Sequence, residues 1–364
     1  MSRSANKLVS MLSGARLVDL KKMAFHTGMP QTGTKPVLQN GLRHELLRPR
    51  FSDSPAHRVL SIDMGIRNLA YCMLEVSEKD VRLAVEKGPL VQLEEYELDK
   101  LTRFQGSSRT CSRISDWRRL DVSTLTVGDT AMSGSVTDEH VEGAEVKTAG
   151  VENVFDPPAL SKLAYELVTK VLVPLNPTHI VIERQRHRSG GSSAILEWTF
   201  RVNMLESMIY AVLESEKRHR IRSSDNRDVG FGPTVAPMDP KRMSSYWTST
   251  NYWSQIKSET GEDWATIEKL PRGKQEKAAR TTIARSFLWH DLPCEDAARS
   301  TRSLFLQKQP RKSRGSEHQP GFPKSAPVKL DDLADCLLQG LAFIDWELNR
   351  RLLLRSVVRV PDAT

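Results

Sequence analysis

Apolar residues recur along this chain with two periods, which predicts an α/β protein. Val59, Leu60 and Ile62 lead into Asp63, and Leu69, Ala70, Tyr71, Met73 and Leu74 follow a Met-Gly-Ile-Arg-Asn turn. That pattern predicts a strand, a bend at Gly65 and a second strand. Looser alternation at Val81, Leu83 and Val85, then Leu90, Val91 and Leu93, predicts a third strand between residues 81 and 98. Leu160, Leu163, Ala164, Leu167, Val168 and Val171 recur at helical spacing and stop before Pro174. A short apolar strand at Ile180 to Ile182 ends in Glu183, and residues 233–238 form another. A long amphipathic helix is expected over about 194–217, with Ile195, Trp198, Val202, Leu205, Ile209 and Val212 on one stripe. Its breadth suits a core element, and also a contact with a second copy. Further helices are expected through Lys241 and Trp247, over 273–289, and from Lys329 to Phe343.

Acidic residues stand where this pattern leaves buried elements. Asp63 and Glu183 each sit at a strand's exit, and Asp331, Asp332 and Asp335 lie at i,i+4 and i,i+3 spacing on the last helix. Leu333, Leu337, Leu338, Leu341 and Ala342 anchor that helix by its other side. Like charges brought together by folding need a proton or a cation between them, and a hard divalent metal meets that need. Taken alone, Glu183 reads more simply as a partner for the arginines that follow it, Arg184, Arg186 and Arg188, which are also candidate DNA contacts. Asp63 and the aspartate helix reverse that balance. His187 among those arginines is read as a phosphate or solvent contact rather than a ligand, and the Ser-Gly-Gly-Ser-Ser run at 189–193 as a hinge.

Charge adds a second theme. The net charge is +8, and residues 1–50 hold nine Lys or Arg against Asp19 and Glu45, so nearly all of the excess lies there. Such a basic segment suits a polyanionic partner, with a solubilising arm as the bland reading. Its first 18 residues lack acids and interleave Arg3, Lys7 and Arg16 with Leu8, Val9, Met11, Leu12 and Leu17, the composition of a mitochondrial transit peptide. The helical pattern nevertheless continues through Leu17, Leu20, Met23 and Ala24. A turn at Gly28 to Gly33 and a second helix, capped by Thr34 with Pro36 in its first turn, complete it. The stretch from Leu17 to Leu46 resembles the helix–turn–helix of SAP-type DNA-binding motifs, which points to Lys21, Lys22 and Lys35 as DNA contacts.

Lys274, Lys277 and Arg280 on successive helical turns are phosphate-facing candidates, with a solvated face nearly as good a reading. Residues 106–158 turn polar and acidic and read as an inserted segment, and residues 295–327 read as a basic loop. The four cysteines are scattered and predict reduced core thiols. No apolar run reaches membrane-spanning length, so no membrane partner is expected.

Ser-Ile-Asp-Met-Gly-Ile-Arg-Asn-Leu-Ala around Asp63, Ile-Glu-Arg-Gln-Arg-His-Arg with the long helix after it, and Lys-Leu-Asp-Asp-Leu-Ala-Asp resemble the fungal mitochondrial Holliday-junction resolvases, the cruciform-cutting endonucleases. The resemblance covers about 59–348 apart from the insertions. It implies a ribonuclease-H-like mixed sheet flanked by helices, related to the bacterial RuvC resolvases. The nuclease domain would span 57–350, behind a small helical SAP-like module at 1–50. It further implies Asp63, Glu183 and Asp335 as catalytic metal ligands, joined by Asp331 or Asp332 with Asp331 slightly favoured. Two Mg²⁺ or Mn²⁺ ions per active site, paired incisions in four-way DNA junctions, a homodimer and a place in the mitochondrial matrix follow from the same resemblance. Two other classes stay open. One is a catalytically silent junction-binding protein, and the other an actin- or sugar-kinase-like ATPase, which shares the strand, Asp and Gly opening but needs further glycine-rich phosphate loops.

Overall fold

The fold, taken from a computed structural model, is described over residues 3–51, 54–89, 98–125, 155–185, 197–223, 232–249, 267–290, 292–306 and 330–359. Five strands form one mixed sheet: β1 (Ala56–Asp63), β2 (Leu69–Ser77), β3 (Ser112–Leu120), β4 (His179–Glu183) and β5 (Thr234–Met238), in the spatial order β3-β2-β1-β4-β5. The first three pair antiparallel, whereas β4 runs parallel to β1 and β5 parallel to β4. Ile62 pairs with Ile182, so β1 and β4 end side by side, and their next residues are Asp63 and Glu183.

Side-chain alternation gives the sheet two apolar faces, and each is covered. Val59, Cys72, Leu74 and Val181 belong to the core beneath the C-terminal helix Asp331–Arg359. Leu60, Ile62, Tyr71, Ile180 and Ile182 belong to the other core, under helix Pro157–Glu166, a π-helical turn at Leu167–Leu172 and the long central helix Glu197–Ser223. Gly340 lets the C-terminal helix lie close on the sheet: a Cβ there would stand 2.8 Å from Leu74 Cδ1 and 3.1 Å from Ser61 Cβ.

The C-terminal helix is buried on all sides between Phe343 and Arg350, because the N-terminal helices cover the side away from the sheet. These helices are α1 (Arg3–Gly14), α2 (Leu17–His26) and α3 (Lys35–Leu47). Leu8, Leu12, Leu20, Met23, Leu42 and Leu46 share one core with Trp346, Leu348 and Leu352. Buried polar contacts reinforce the joint: Arg350 pairs with Glu347 and donates to the Leu46 carbonyl at 2.9 Å, and Asn349 donates to the His26 carbonyl at 2.9 Å. Thr34 caps α3 by position, with Pro36 in the first turn, but its side chain makes no capping hydrogen bond.

Three expectations from the pattern are corrected. Val81 and Val85 lie on a helix, Glu78–Lys87, whose N-cap Ser77 accepts from the Asp80 N–H; Leu83 alternates only because it faces solvent. The third strand is Ser112–Leu120, inside the stretch that composition marks as an insertion. It is a charged outer strand, which buries Ile114 and Trp117 and carries Arg113, Arg118 and Arg119 beside them, and residues 293–295 pair with its outer edge at Ile114. Part of the expected basic loop is helix Asp296–Leu306, which buries Ala298, Thr301 and Phe305, the last stacked on Trp117 at 4.9 Å. Residues 90–97, 126–154 and 307–329 lie outside the described residues. All four cysteines are free, and Cys72 and Cys336 are buried as expected. Among the described residues no helix is long and apolar enough to cross a membrane.

Candidate active site

The two strand ends and the first turns of the C-terminal helix bring four acids together. Asp63 and Glu183 emerge next to each other at the paired ends of β1 and β4, close enough for each carboxyl to shift the other. Burial, then the contact with Glu183, and then the charges of Glu183, Asp335 and Asp332 hold the Asp63 carboxyl well above the usual carboxylate range. Burial and the charge of Asp335 likewise raise Glu183, against lowering contributions from the Asp63 contact and Arg280. Asp332 is pushed up to about 6, first by burial and then by Asp331 and Asp335, with Lys277 and Arg119 working the other way. Burial and mutual repulsion raise Asp63, Glu183 and Asp332 together, as expected of clustered anionic groups suited to a positive partner.

The doubled aspartate separates by orientation. Asp332 lines a cleft of about 230 Å³ together with Asp63, Gly65, Arg67, Gln185 and Trp198, room for several water-sized groups. Asp331 accepts from Lys277 Nζ at 2.7 Å, away from that cleft's lining. Asp335 is held by Arg280, whose Nε and Nη2 lie 2.6 and 2.9 Å from the two carboxylate oxygens. Among the described residues no three ligand-type side chains stand ready to hold an ion as they are placed. The donors nevertheless fit a hard divalent cation, being clustered carboxylate oxygens.

The candidate DNA contacts are dispersed. Lys21 and Lys35 are exposed on α2 and α3 with Lys22 partly so, Arg184 is exposed just beyond Glu183, and Lys274 is exposed on the helix Arg272–His290. Lys277 is engaged by Asp331, and so serves the acid cluster before any phosphate. Arg186, His187 and Arg188 lie outside the described residues.

Several residues at the site are not apparent from motif spacing. Glu206, on the central helix, accepts from the Gln185 N–H at 3.1 Å and fixes the backbone just past Glu183. Arg67 lies over the rings of Phe155 and Trp198, at 5.8 and 5.9 Å from their centroids, on the wall of the cleft. Gln339, fully buried, donates to the Ile62 and Val181 carbonyls. A signal for Gln339 existed: it is a polar residue one turn after Asp335 in an otherwise apolar helical stretch.

Comparison with known proteins identifies relatives of the chain. Residues 59–353 match the family described as mitochondrial resolvase Ydc2 / RNA splicing MRS1. The cruciform cutting endonuclease 1, mitochondrial, of Schizosaccharomyces pombe is 31% identical over 214 residues, covering 58% of this chain and 61% of that protein. The chain's match thus spans less than two thirds of that relative's length. The protein of the same name from Saccharomyces cerevisiae is 25% identical over 358 residues, covering 93% of this chain and 84% of the relative. The crystal structure of the yeast mitochondrial Holliday junction resolvase Ydc2 aligns over 93% of this chain and 98% of its own, with 22% identity and a TM-score of 0.49.

Proposed function

Since the chain belongs to the mitochondrial resolvase Ydc2 / RNA splicing MRS1 family, we propose that it is a mitochondrial endonuclease that resolves four-way DNA junctions by metal-dependent phosphodiester hydrolysis. The observation that carries this reading is the meeting of Asp63, Glu183, Asp332 and Asp335 at one end of the sheet, with mutual electrostatic coupling. An antiparallel three-strand meander followed by two parallel strands, with a C-terminal helix delivering the last acids, supports the ribonuclease-H-like assignment.

Asp63, Glu183 and Asp335 would hold the metal, and Asp332 is the better fourth ligand, because it faces the cleft that Asp63 lines whereas Asp331 is bound by Lys277. Bound Mg²⁺ or Mn²⁺ would supply an activated water and stabilise the departing 3′ oxygen. The chain's own residues do the rest. Asp63 and Glu183 present their carboxylates side by side at the strand ends, Gln339 keeps those ends and the aspartate helix in register, and Arg67 offers a cation on the cleft wall.

Two incisions across a junction need two sites, which a homodimer supplies. The central helix offers a surface for it: a shallow groove of about 380 Å³ lined by Phe200, Met204, Met208 and Ala211, with Phe200 54% exposed. The N-terminal helices carry the basic surface, and Lys21, Lys22 and Lys35 are its SAP-like phosphate contacts.

A second reading is favoured by the family's own description, which includes RNA splicing: a nucleic-acid-binding protein without catalysis. The complete acid set argues against it, and family membership sets the ATPase reading aside. Incubating the protein with a labelled synthetic four-way junction, with and without Mg²⁺, decides the matter. Symmetric, metal-dependent nicks support the nuclease, and binding without cutting in any divalent metal refutes it.

A further inference from the structure

We propose that Arg280 is a built-in counter-cation: it occupies Asp335 while the site lacks metal, and yields that carboxylate to a divalent ion so that its fork can turn to the scissile phosphate. The inference rests on the nuclease reading for its second half only. Both oxygens of Asp335 accept from the guanidinium, at 2.6 and 2.9 Å, and the remaining arm, Nη1, lies 3.3 Å from Ser244 Oγ. Direct ligation by Asp335 therefore has to break at least one arm of the fork. The arginine is only 11% exposed and stands close enough to Glu183 to stabilise its charge, so its cation serves two of the four acids at once. Lys277 repeats the arrangement one turn earlier, on Asp331. Two cations from one helix thus engage Asp331 and Asp335 on the C-terminal helix, while Asp332 faces the cleft.

The chemistry of the side chain suits the exchange. A guanidinium fork matches a phosphodiester's two free oxygens as well as it matches a carboxylate, and it stays charged throughout. An ammonium in the same place keeps the charge but loses the paired geometry. The plainer alternative is a structural clamp, since the helix Arg272–His290 and the C-terminal helix share a core through Phe287 and Leu338. A clamp and a counter-cation predict different responses to metal.

The test uses full-length wild-type protein, Arg280→Gln and Arg280→Lys. Mn²⁺ binding without DNA is followed by the electron paramagnetic resonance signal of the free ion, and thermal melting is recorded with and without Mn²⁺. Removing the competing cation should make Arg280→Gln bind Mn²⁺ about tenfold more tightly, and its melting deficit in metal-free buffer should largely disappear when Mn²⁺ is added. Equal Mn²⁺ affinity, with the same melting deficit in both buffers, overturns the proposal in favour of the clamp. Arg280→Lys retains charge and stem, so it keeps the test valid if the Gln variant misfolds. It should melt near wild type yet cut a labelled junction at least about a hundredfold more slowly. Wild-type cutting by Arg280→Lys overturns the phosphate contact. Wild-type protein that binds Mn²⁺ but leaves the junction whole refutes the nuclease reading, and the Mn²⁺ measurements still decide the counter-cation.

Discussion

The Gln339 side-chain amide donates at 3.0 Å to the carbonyl of Ile62, the residue immediately before Asp63. The same nitrogen lies 3.2 Å from the Val181 carbonyl and 3.1 Å from Ser61 Oγ. One buried amide therefore ties the helix that carries Asp335 to both strands that end in the other acids. Replacing it with the similarly shaped Met leaves the carbonyls on the sheet without this donor. Gln339→Met is expected to lose about 1–3 kcal/mol of stability in urea unfolding and to lose more cutting activity than the fraction unfolded explains. An activity that merely tracks the folded fraction would assign Gln339 to stability alone.

Gly28 joins the N-terminal helices to the body. It has φ +74°, and a Cβ there would stand 2.1 Å from the Trp346 ring. Gly28→Ala combines a strained backbone with an overpacked contact and is expected to cost about 2–4 kcal/mol. Limited proteolysis should then release the first three helices sooner than in wild type. Equal cleavage rates would mean that this joint carries little of the fold.

The proposed DNA face can be tested without removing it. Because α1–α3 share the core of the C-terminal helix, deleting residues 1–50 exposes Trp346 and Leu348, whereas surface substitutions do not. Changing Lys21, Lys22 and Lys35 together to Gln is expected to weaken junction binding and to flatten its dependence on log salt by about 2–3 in slope. Fluorescence anisotropy between 50 and 200 mM salt, roughly the range over which such contacts are lost, reads both. An unchanged slope excludes these lysines as phosphate contacts.

Metal-free stability should respond to pH through Asp332. Its carboxyl is raised from an ordinary 3.8 to about 6, so the folded state holds this proton more tightly than the unfolded chain. The benefit is complete below about 4 and is lost as pH rises through about 6. Asp332→Asn removes that loss. In chelator-treated buffer the variant should be more stable than wild type at pH 7.5, by about 1–2 kcal/mol after allowance for solvent screening, and nearly equal to it at pH 4. Urea midpoints at the two pH values check this, and a difference independent of pH contradicts the assigned crowding. Asp345 is also raised to about 6 by burial, against the N–H groups of Ser108 and Gly106, but it contributes equally to both proteins.

Strand ends and helical stripes made much of this site legible. Asp63 and Glu183 could be read as acids at the exits of buried strands, because short apolar runs lead directly into them. The aspartate helix was legible by spacing. The edge strand Ser112–Leu120 was not, since an edge carries arginines where a central strand carries valines, and its composition merges into the acidic stretch that follows. The choice between Asp331 and Asp332 depends on which carboxylate the helix turns toward Asp63, a matter of rotation that neighbouring residues cannot reveal. The N-terminal helices read as a separate module because their charge differs from the rest. Their apolar faces, led by Leu8 and Leu42, complete the burial of the C-terminal helix.

Asp63→Asn tests the central claim most directly, because it removes one carboxylate charge while keeping the side chain's size and every surface cation. With a labelled four-way junction and Mg²⁺, the variant should bind as wild type does and cut at least about a hundredfold more slowly, since losing a ligand exceeds the cost of losing a residue behind one. Cutting at the wild-type rate by Asp63→Asn would contradict the assignment of this acid cluster as the catalytic centre.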